Sequence, residues 1–289
     1  MLCVLQEVPI IMLEKKQRFI RDLKLLSLNI AGTFYENKKK LMFLSIGMII
    51  VIIYNIISTE QTLFREMNIV FSIADSFVQM TYMYYKCVYI GPLFLWMLMY
   101  LLKGDSLLQF VVRSRSRITV WKWDCCKIIL ASLYVSILQT LTIAGIGLTR
   151  GQPLINWTEK KSVFRAQTGV ILYTEESLLH IIIIFNVTTV ITCILIGLMY
   201  MTVKEFATNT IVAFIICLSW CLIEYYTTGF VLRNLCMQYK FWTHKEYNWN
   251  GMMMVIIVRK CFKRRRIEIS TIPLLKFLYA YFMSRLLCF

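Results

Sequence analysis

The sequence lacks the motifs by which proteins bind nucleotides or hydrolyse their substrates. It contains no GxxxxGK[ST] motif, so the chain cannot hold a nucleotide's phosphates in the Walker manner. GxSxG and HExxH are also absent, the only two histidines are His180 and His244, and no set of cysteines and histidines has zinc-site spacing. We therefore expect no enzyme, no metal and no cofactor, and any energised work requires a partner or an ion gradient.

Acidic residues are scarce. The chain has 16 Asp and Glu against 32 Lys and Arg, a formal net charge of +16. On a soluble protein such a charge suggests nucleic-acid binding. Here the basic residues cluster at the ends of apolar runs, where they contact anionic lipid and set the orientation of membrane helices. We therefore expect membrane lipid as a partner and no nucleic acid.

Long apolar runs dominate the chain, which is 58% hydrophobic, whereas soluble domains are about 45–50% apolar. The runs reach or approach the ~20 residues that cross ~30 Å of hydrocarbon as a helix. No segment alternates with period two as a membrane barrel would. The prediction is an all-α, polytopic helical bundle, multi-pass in the cell membrane, with about six spans. The predicted spans lie near 41–57, 80–102, 128–148, 179–203, 210–232 and 273–289.

Residues 1–40 form a predicted cytoplasmic amphipathic segment before the first span. The segment contains eight Lys and Arg. Its apolar residues at helical spacing are Phe19, Leu23, Leu26 and Ile30. A helix with a basic face and an apolar face lies on a membrane surface. Residues 41–289 are predicted to form one transmembrane domain.

Two topologies are consistent with the sequence. The first places the N-terminus and residues 104–127 inside and residues 58–86 outside, but it leaves the nine Lys and Arg of 233–272 outside. The second makes 67–85 a span of its own, which reverses the inside or outside placement of every later segment. It places more basic residues inside, whereas the first divides them about equally. It also places residues 104–127 outside the cell. In addition it puts Asp75 in the lipid, where an acidic residue at a helix centre costs roughly 2.5–3.5 kcal/mol.

The hexapeptide EESLLH at 175–180 resembles the EExxxR signature of glutamate-type intramembrane peptidases, in which carboxylates and later histidines bind metal or activate water. His180 stands where that signature has Arg, and no later apolar run carries a histidine. Carboxylates near a helix start are also stabilised by the helix dipole. An ordinary helix start is therefore the favoured interpretation.

Two polar residues lie within predicted spans. Glu224 is an acidic residue inside the fifth run, and an intramembrane carboxylate is a functional-site hypothesis by default. The alternative places Glu224 near the outer end of its helix, capped by neighbouring Tyr and Thr. We expect Asn186, with Thr188 and Thr189, to hydrogen-bond a neighbouring helix rather than to bind substrate.

The segment RSRSRITVWKWDCCK, residues 113–127, lies between two apolar runs. Five of its residues are Lys or Arg, two are Trp, and only Asp124 is acidic. Trp at the headgroup level with Arg just outside it predicts a short helix in the cytoplasmic interface that leads into the third span. The simplest interpretation is a lipid anchor.

The stretch VVRSRSRITVWKWDCCKIILASLYVSILQTL also resembles the cytoplasmic segment between the second and third spans of ABC-2 type permeases. It is similar to the small, divergent members found in Firmicutes, often associated with bacteriocin or antibiotic export and immunity. The resemblance implies an exporter subunit, homo- or heterodimeric, in which 104–127 couples to a separate ATP-binding cassette ATPase. The partner-facing residues that it implies are Arg113, Arg115, Arg117, Trp121 and Lys122. The basic tail after 233 departs from the family pattern, and a non-enzymatic immunity or assembly factor is the alternative.

Overall fold

A computed structural model describes residues 27–102, 117–170, 176–207, 209–226 and Tyr239, without the side chains of 117–119. The chain divides into two units, Met1–Lys245 and Glu246–Phe289, and all the described residues belong to the first. Within them the structure is all-helical and has no strand, as the sequence predicts. The predicted sixth span at 273–289 and most of the predicted N-terminal segment lie outside the described residues.

The helices are numbered here in chain order. They are α1 (27–36), α2 (Lys38–Met67), α3 (Ile73–Met80), α4 (Gly91–Leu101), α5 (Arg117–Thr149), α6 (Val163–Thr168), α7 (Leu178–Phe206) and α8 (Thr210–Tyr226). A π-helical turn, Tyr85–Ile90, leads directly into α4.

Three of these helices are long and apolar enough to cross a membrane: α2, the Val120–Thr149 part of α5, and α7. They match the apolar runs predicted at 41–57, 128–148 and 179–203. The other two runs form shorter apolar helices, Tyr85–Leu101 and α8. The second run thus becomes helical later than the predicted boundary at residue 80, because a separate helix, α3, precedes it.

The five apolar helices alternate in direction, so the bundle has two distinct ends. At the end where α2 begins, the Asn37 amide lies 3.5 Å from the Tyr100 carbonyl oxygen, and Lys204 near the end of α7 donates to the Leu102 carbonyl. We call this the proximal end. At the opposite, distal end, Arg150 after α5 pairs with Glu60 at 2.8 Å.

The ring contact between Tyr84 and Tyr225, at 5.8 Å, places the end of α8 beside the start of the π turn. Residues 67–85 contain no helix long enough to cross a membrane by itself. Helix α3 has eight residues, about 12 Å of helix, which is far short of a hydrocarbon core. The chain before and after α3 stays at the distal end.

Local sequence accounts for α3. Asn68 adopts a left-handed conformation, φ 51°, that ends α2, since Asn tolerates this region better than most residues. Ser72 then caps α3: its hydroxyl accepts from the Asp75 backbone N–H, while the Asp75 carboxylate accepts from the Ser72 backbone N–H. This reciprocal capping box fixes the helix start. All eight residues of α3 are buried.

Residues 150–168 fold beside α3 and bond to it through the backbone. The Ile73 N–H donates to the Pro153 carbonyl at 3.0 Å, and the Val70 N–H donates to the Lys161 carbonyl at 2.8 Å. The Asn156 amide donates to the Val70 carbonyl at 2.8 Å. We call α3, residues 150–168 and Tyr239 the distal cap. It covers one end of the bundle without crossing it.

Helix α5 is the longest and packs most extensively against α7. Close approach of the two helices depends on Gly197, where a Cβ would lie 2.5 Å from the Ile128 side chain. Helix α5 is continuous from Arg117 to Thr149, so residues 117–127 form its first three turns. The sequence predicts a short helix that leads into the third span, and in the structure the two are one continuous helix.

Candidate functional site

The predicted coupling segment begins outside the described residues, since 103–116, with Arg113 and Arg115, are not among them. Arg117 is the first residue of α5. Trp121 is half-buried and packs against the hydrophobic core, whereas Lys122 is exposed. The segment is thus joined to two helix ends, Leu102 and Arg117, that lie at the proximal end with Lys38 and Lys204.

The inner face of this part of α5 is buried and polar. Asp124 is 8% exposed and Lys127 is fully buried. An ionised side chain is seldom fully buried without compensation. Burial of both residues indicates that the first turns of α5 pack into the rest of the protein rather than lying apart on a surface.

Asn186 forms the hydrogen bonds to a neighbouring helix that its position predicts. Its Oδ1 accepts from Ser136 Oγ at 2.6 Å and from Thr140 Oγ1 at 3.1 Å, both on α5. Its Nδ2 donates to the Ile182 carbonyl at 2.8 Å. Since these partners satisfy the amide, Asn186 joins α5 to α7 rather than presenting an open binding group.

Glu224 is buried, at 3% exposure, two residues before the last residue of α8. It lies on the face of α8 that also buries Cys217 and Cys221. This face packs against the π turn and α4, and the Cys221 sulfur lies close to Gly91. Glu224 is therefore near the distal helix end and inside the protein.

The residues of the peptidase-like hexapeptide do not assemble a metal site among the described residues. His180 Nδ1 lies 3.6 Å from Glu176 Oε2, and the His180 side chain is 55% exposed. Glu175 is outside the described residues. No group of three His, Cys, Asp or Glu is close enough to hold a metal ion in the part of the chain that the structure describes.

Lys86 is a buried cation that the sequence interpretation placed in an external segment. The structure corrects this placement: Lys86 is 4% exposed and lies on the π turn inside the bundle. Its ammonium donates to Thr192 Oγ1 of α7 at 3.2 Å. A lysine at the edge of an apolar run carries no local signal that separates a snorkelling side chain from an inward-facing one, so sequence reasoning missed it.

A small cavity lies beside Lys86, with room for about one water-sized molecule. Its polar lining residues come from the π turn, α5 and α7; they are Lys86, Gln139, Thr189 and Thr192. Gln139 is 2% exposed, and its Nε2 has no hydrogen-bond partner within the part of the chain that the structure describes. Gln139 was also not identified from the sequence, because a glutamine in an apolar run can hydrogen-bond a neighbouring helix as well as line a cavity.

Asp75 is the hydrogen-bonding centre of the distal cap. It is fully buried and accepts from Ser72 Oγ at 2.6 Å, Trp157 Nε1 at 2.9 Å and the Tyr239 hydroxyl at 2.7 Å. Burial raises the pKa of Asp75, and the hydrogen bonds from Ser72, Tyr239 and Trp157 oppose part of that rise. The Ser-x-x-Asp capping box is visible in the local sequence. The long-range partners Trp157 and Tyr239 have no such signal in the sequence around them.

No protein-family model matches this chain, and neither does any curated protein or any solved structure. Its function is therefore inferred from the chain's own residues. The described residues show apolar helices, exposed lysines at the proximal end, and buried polar groups within.

Proposed function

We propose that this chain is a multi-pass membrane protein that acts as the membrane-spanning subunit of an ABC-type exporter. A separate ATP-binding cassette ATPase, bound at residues 104–127, would supply the energy, because the sequence has no Walker motif of its own. Two copies, or this chain and a related one, would form the permease.

The continuity of α5 is the observation that carries this proposal. Its 33 residues measure about 50 Å, whereas the hydrocarbon core is about 30 Å thick. The proximal turns, with exposed Lys122, thus have the length to project beyond the membrane as part of the same rigid helix. A partner that pushes on Lys122 would move α5, and with it α7, without an intervening hinge.

The charge at the proximal end supports a cytoplasmic location for the coupling segment. Exposed Lys38, Lys39 and Lys40 begin α2 there, and Lys204 ends α7 there. Lys and Arg flanking spans favour the cytoplasmic side. The eight basic residues before residue 41 act in the same direction.

Site-specific cross-linking tests the partner. A photoreactive amino acid replaces Lys122, and the same residue at exposed Thr158 in the distal cap serves as the control. We expect the probe at position 122 to capture a protein with Walker motifs, identified by mass spectrometry, and the probe at 158 not to capture it.

Charge reversal sharpens the test. The double variant Arg115→Glu, Arg117→Glu should abolish the cross-link while leaving membrane insertion intact. The matched control, Lys38→Glu with Lys39→Glu, reverses the same charge at the same end and should retain it. If no ATPase is captured, or if both double variants lose the cross-link equally, the coupling role is contradicted and an immunity or assembly factor is favoured.

A further inference from the structure

Three consecutive lysines begin α2 at the proximal end, and all three are exposed: Lys38, Lys39 and Lys40. The first turn of α2 contains no acidic residue. Within the described residues, none of the three ammonium groups forms an ion pair with a carboxylate. Like charges this close repel one another, so an anion bound beside them would be attracted by all three.

Two tyrosine rings keep two of these ammonium groups close to the protein. Lys38 Nζ lies 4.1 Å from the centre of the Tyr35 ring, and Lys40 Nζ lies 4.5 Å from the centre of the Tyr100 ring. The face of an aromatic ring attracts a cation. The positive charge is therefore concentrated at the start of α2 rather than spread on fully extended side chains.

Aromatic side chains of α4 mark the level of the membrane interface beside the lysines. Trp96 is 40% exposed, and its Nε1 donates to the Tyr100 hydroxyl at 3.2 Å. Exposed Trp and Tyr are typical of the boundary between hydrocarbon and headgroups. Because Lys40 lies over the Tyr100 ring, its ammonium is at the depth where lipid phosphates lie.

An exposed apolar face continues from the lysines along α2. Phe43, Ile46 and Ile50 follow Lys39 at the spacing of one helix face, and they are 69%, 47% and 59% exposed. A Cβ on Gly47 would meet no atom within 4 Å, so the surface beside Ile46 is open. From Lys39 to Ile50 the helix rises about 16 Å, which is about half of the ~30 Å hydrocarbon core. The face therefore matches the acyl chain of a lipid in one leaflet.

We propose that this face of α2 binds an anionic phospholipid, with its phosphate at Lys39 and Lys40 and an acyl chain along Phe43 to Ile50. The lysines select an anionic lipid, because a choline headgroup would bring its own cation beside them. The apolar face selects a lipid over a free phosphate ester, which would leave that face uncovered. The site rests on the membrane location in the proposed function and not on the ATPase, so failure of the Lys122 cross-link would leave it standing.

Native mass spectrometry of the purified full chain in detergent measures the apparent dissociation constant of the first bound lipid. The probes are phosphatidylglycerol and phosphatidylcholine with identical acyl chains, titrated at low ionic strength, where charge interactions are least screened. We expect phosphatidylglycerol to bind at least about tenfold more tightly. An excess of glycerol 3-phosphate, which has a phosphate but no acyl chain, should not displace it.

Two double variants locate the charge. Lys39→Gln with Lys40→Gln should weaken phosphatidylglycerol binding about thirtyfold and leave phosphatidylcholine binding unchanged. This factor follows from about 1 kcal/mol for each lysine beside anionic lipid, with 1.4 kcal/mol equal to tenfold. The matched control, Lys160→Gln with Lys161→Gln, removes the same charge from exposed lysines of the distal cap and should bind both lipids as the original chain does. All four side chains are exposed, so both variants should fold.

A photoreactive lipid locates the acyl chain. Phosphatidylglycerol with a diazirine in its acyl chain should label residues 41–50 in the original chain, and much less in the Lys39→Gln, Lys40→Gln variant. Labelling confined to other residues would overturn the proposal, as would equal affinity for the two lipids or equal weakening in the two double variants. Displacement by glycerol 3-phosphate would reject the lipid in favour of a free phosphate ester.

Discussion

Replacement of Asp75 tests the account of the distal cap. Asp75→Leu removes the acceptor for Trp157 Nε1 and for the Tyr239 hydroxyl, both of which are buried. Each buried donor left without a partner costs about 1–3 kcal/mol, so the free energy of unfolding should fall by about 4 kcal/mol. Asp75→Asn keeps an amide oxygen that can accept from both groups and should cost about 1 kcal/mol.

Denaturant titration in mixed micelles, followed by tryptophan fluorescence, gives the free energy of unfolding of each variant. Ser72→Ala is a useful comparison, since it removes the helix cap and one carboxylate hydrogen bond but leaves Trp157 and Tyr239 partnered. It should cost about 1 kcal/mol. Equal stability of Asp75→Leu and Asp75→Asn would refute the claim that these hydrogen bonds hold the cap together.

The same carboxylate predicts a dependence on pH. Burial raises the pKa of Asp75 above its ordinary value of 3.8, so the folded protein binds the proton more tightly than the unfolded chain does. Its contribution to stability is therefore complete below pH 3.8 and decreases as pH rises through the raised pKa. Burial also raises the pKa of Tyr239, whose hydroxyl stays a neutral donor throughout.

Asp75→Asn has no proton to lose at this position. The difference in unfolding free energy between the original chain and Asp75→Asn should thus change as pH rises above 3.8, with the original chain losing stability relative to the variant. Parallel pH profiles for the two proteins would show that Asp75 has the same pKa in the folded and unfolded states.

Further substitutions test the packing of the helices. A Cβ on Gly147 would overlap the Ile73 side chain, so Gly147→Ala should lower the free energy of unfolding by about 1–3 kcal/mol, whereas Gly145→Ala, with open space around it, should be neutral or slightly stabilising. Asn186→Leu removes the hydrogen bonds that join α7 to α5 and should destabilise by about 1 kcal/mol. Asn55→Leu, which alters an amide bonded within its own helix, should change stability less. The same micelle titration checks all four.

The apolar helices were predictable from the sequence because their signal is local. The runs at 41–57, 128–148 and 179–203 are long enough to cross hydrocarbon, and the structure has a long apolar helix at each. Helix boundaries were less accurate. The helix predicted from the Trp and Arg of 113–127 leads into the third span, and in the structure residues 117–127 are continuous with that span in α5.

The distal cap was not predictable, because its contacts join residues far apart in the chain. Trp157 lies 82 residues and Tyr239 lies 164 residues from Asp75, to which both donate. The capping box at Ser72 and Asp75 is a local signal for a helix start at Ile73, and it would have argued against a span over 67–85. Lys86 and Gln139 carry no such signal, since their burial follows from helix packing alone.

Cysteine accessibility tests the central claim most directly: the proximal end, with the segment 104–127, faces the cytoplasm. Single cysteines are placed at Ser116, at exposed Lys39 of the proximal end and at exposed Thr158 of the distal cap. Each variant is labelled with a membrane-impermeant maleimide, in intact and in lysed cells, against the original chain as the baseline. The account predicts labelling of position 158 in intact cells, and of positions 39 and 116 only after lysis. Labelling of position 116 in intact cells would contradict it.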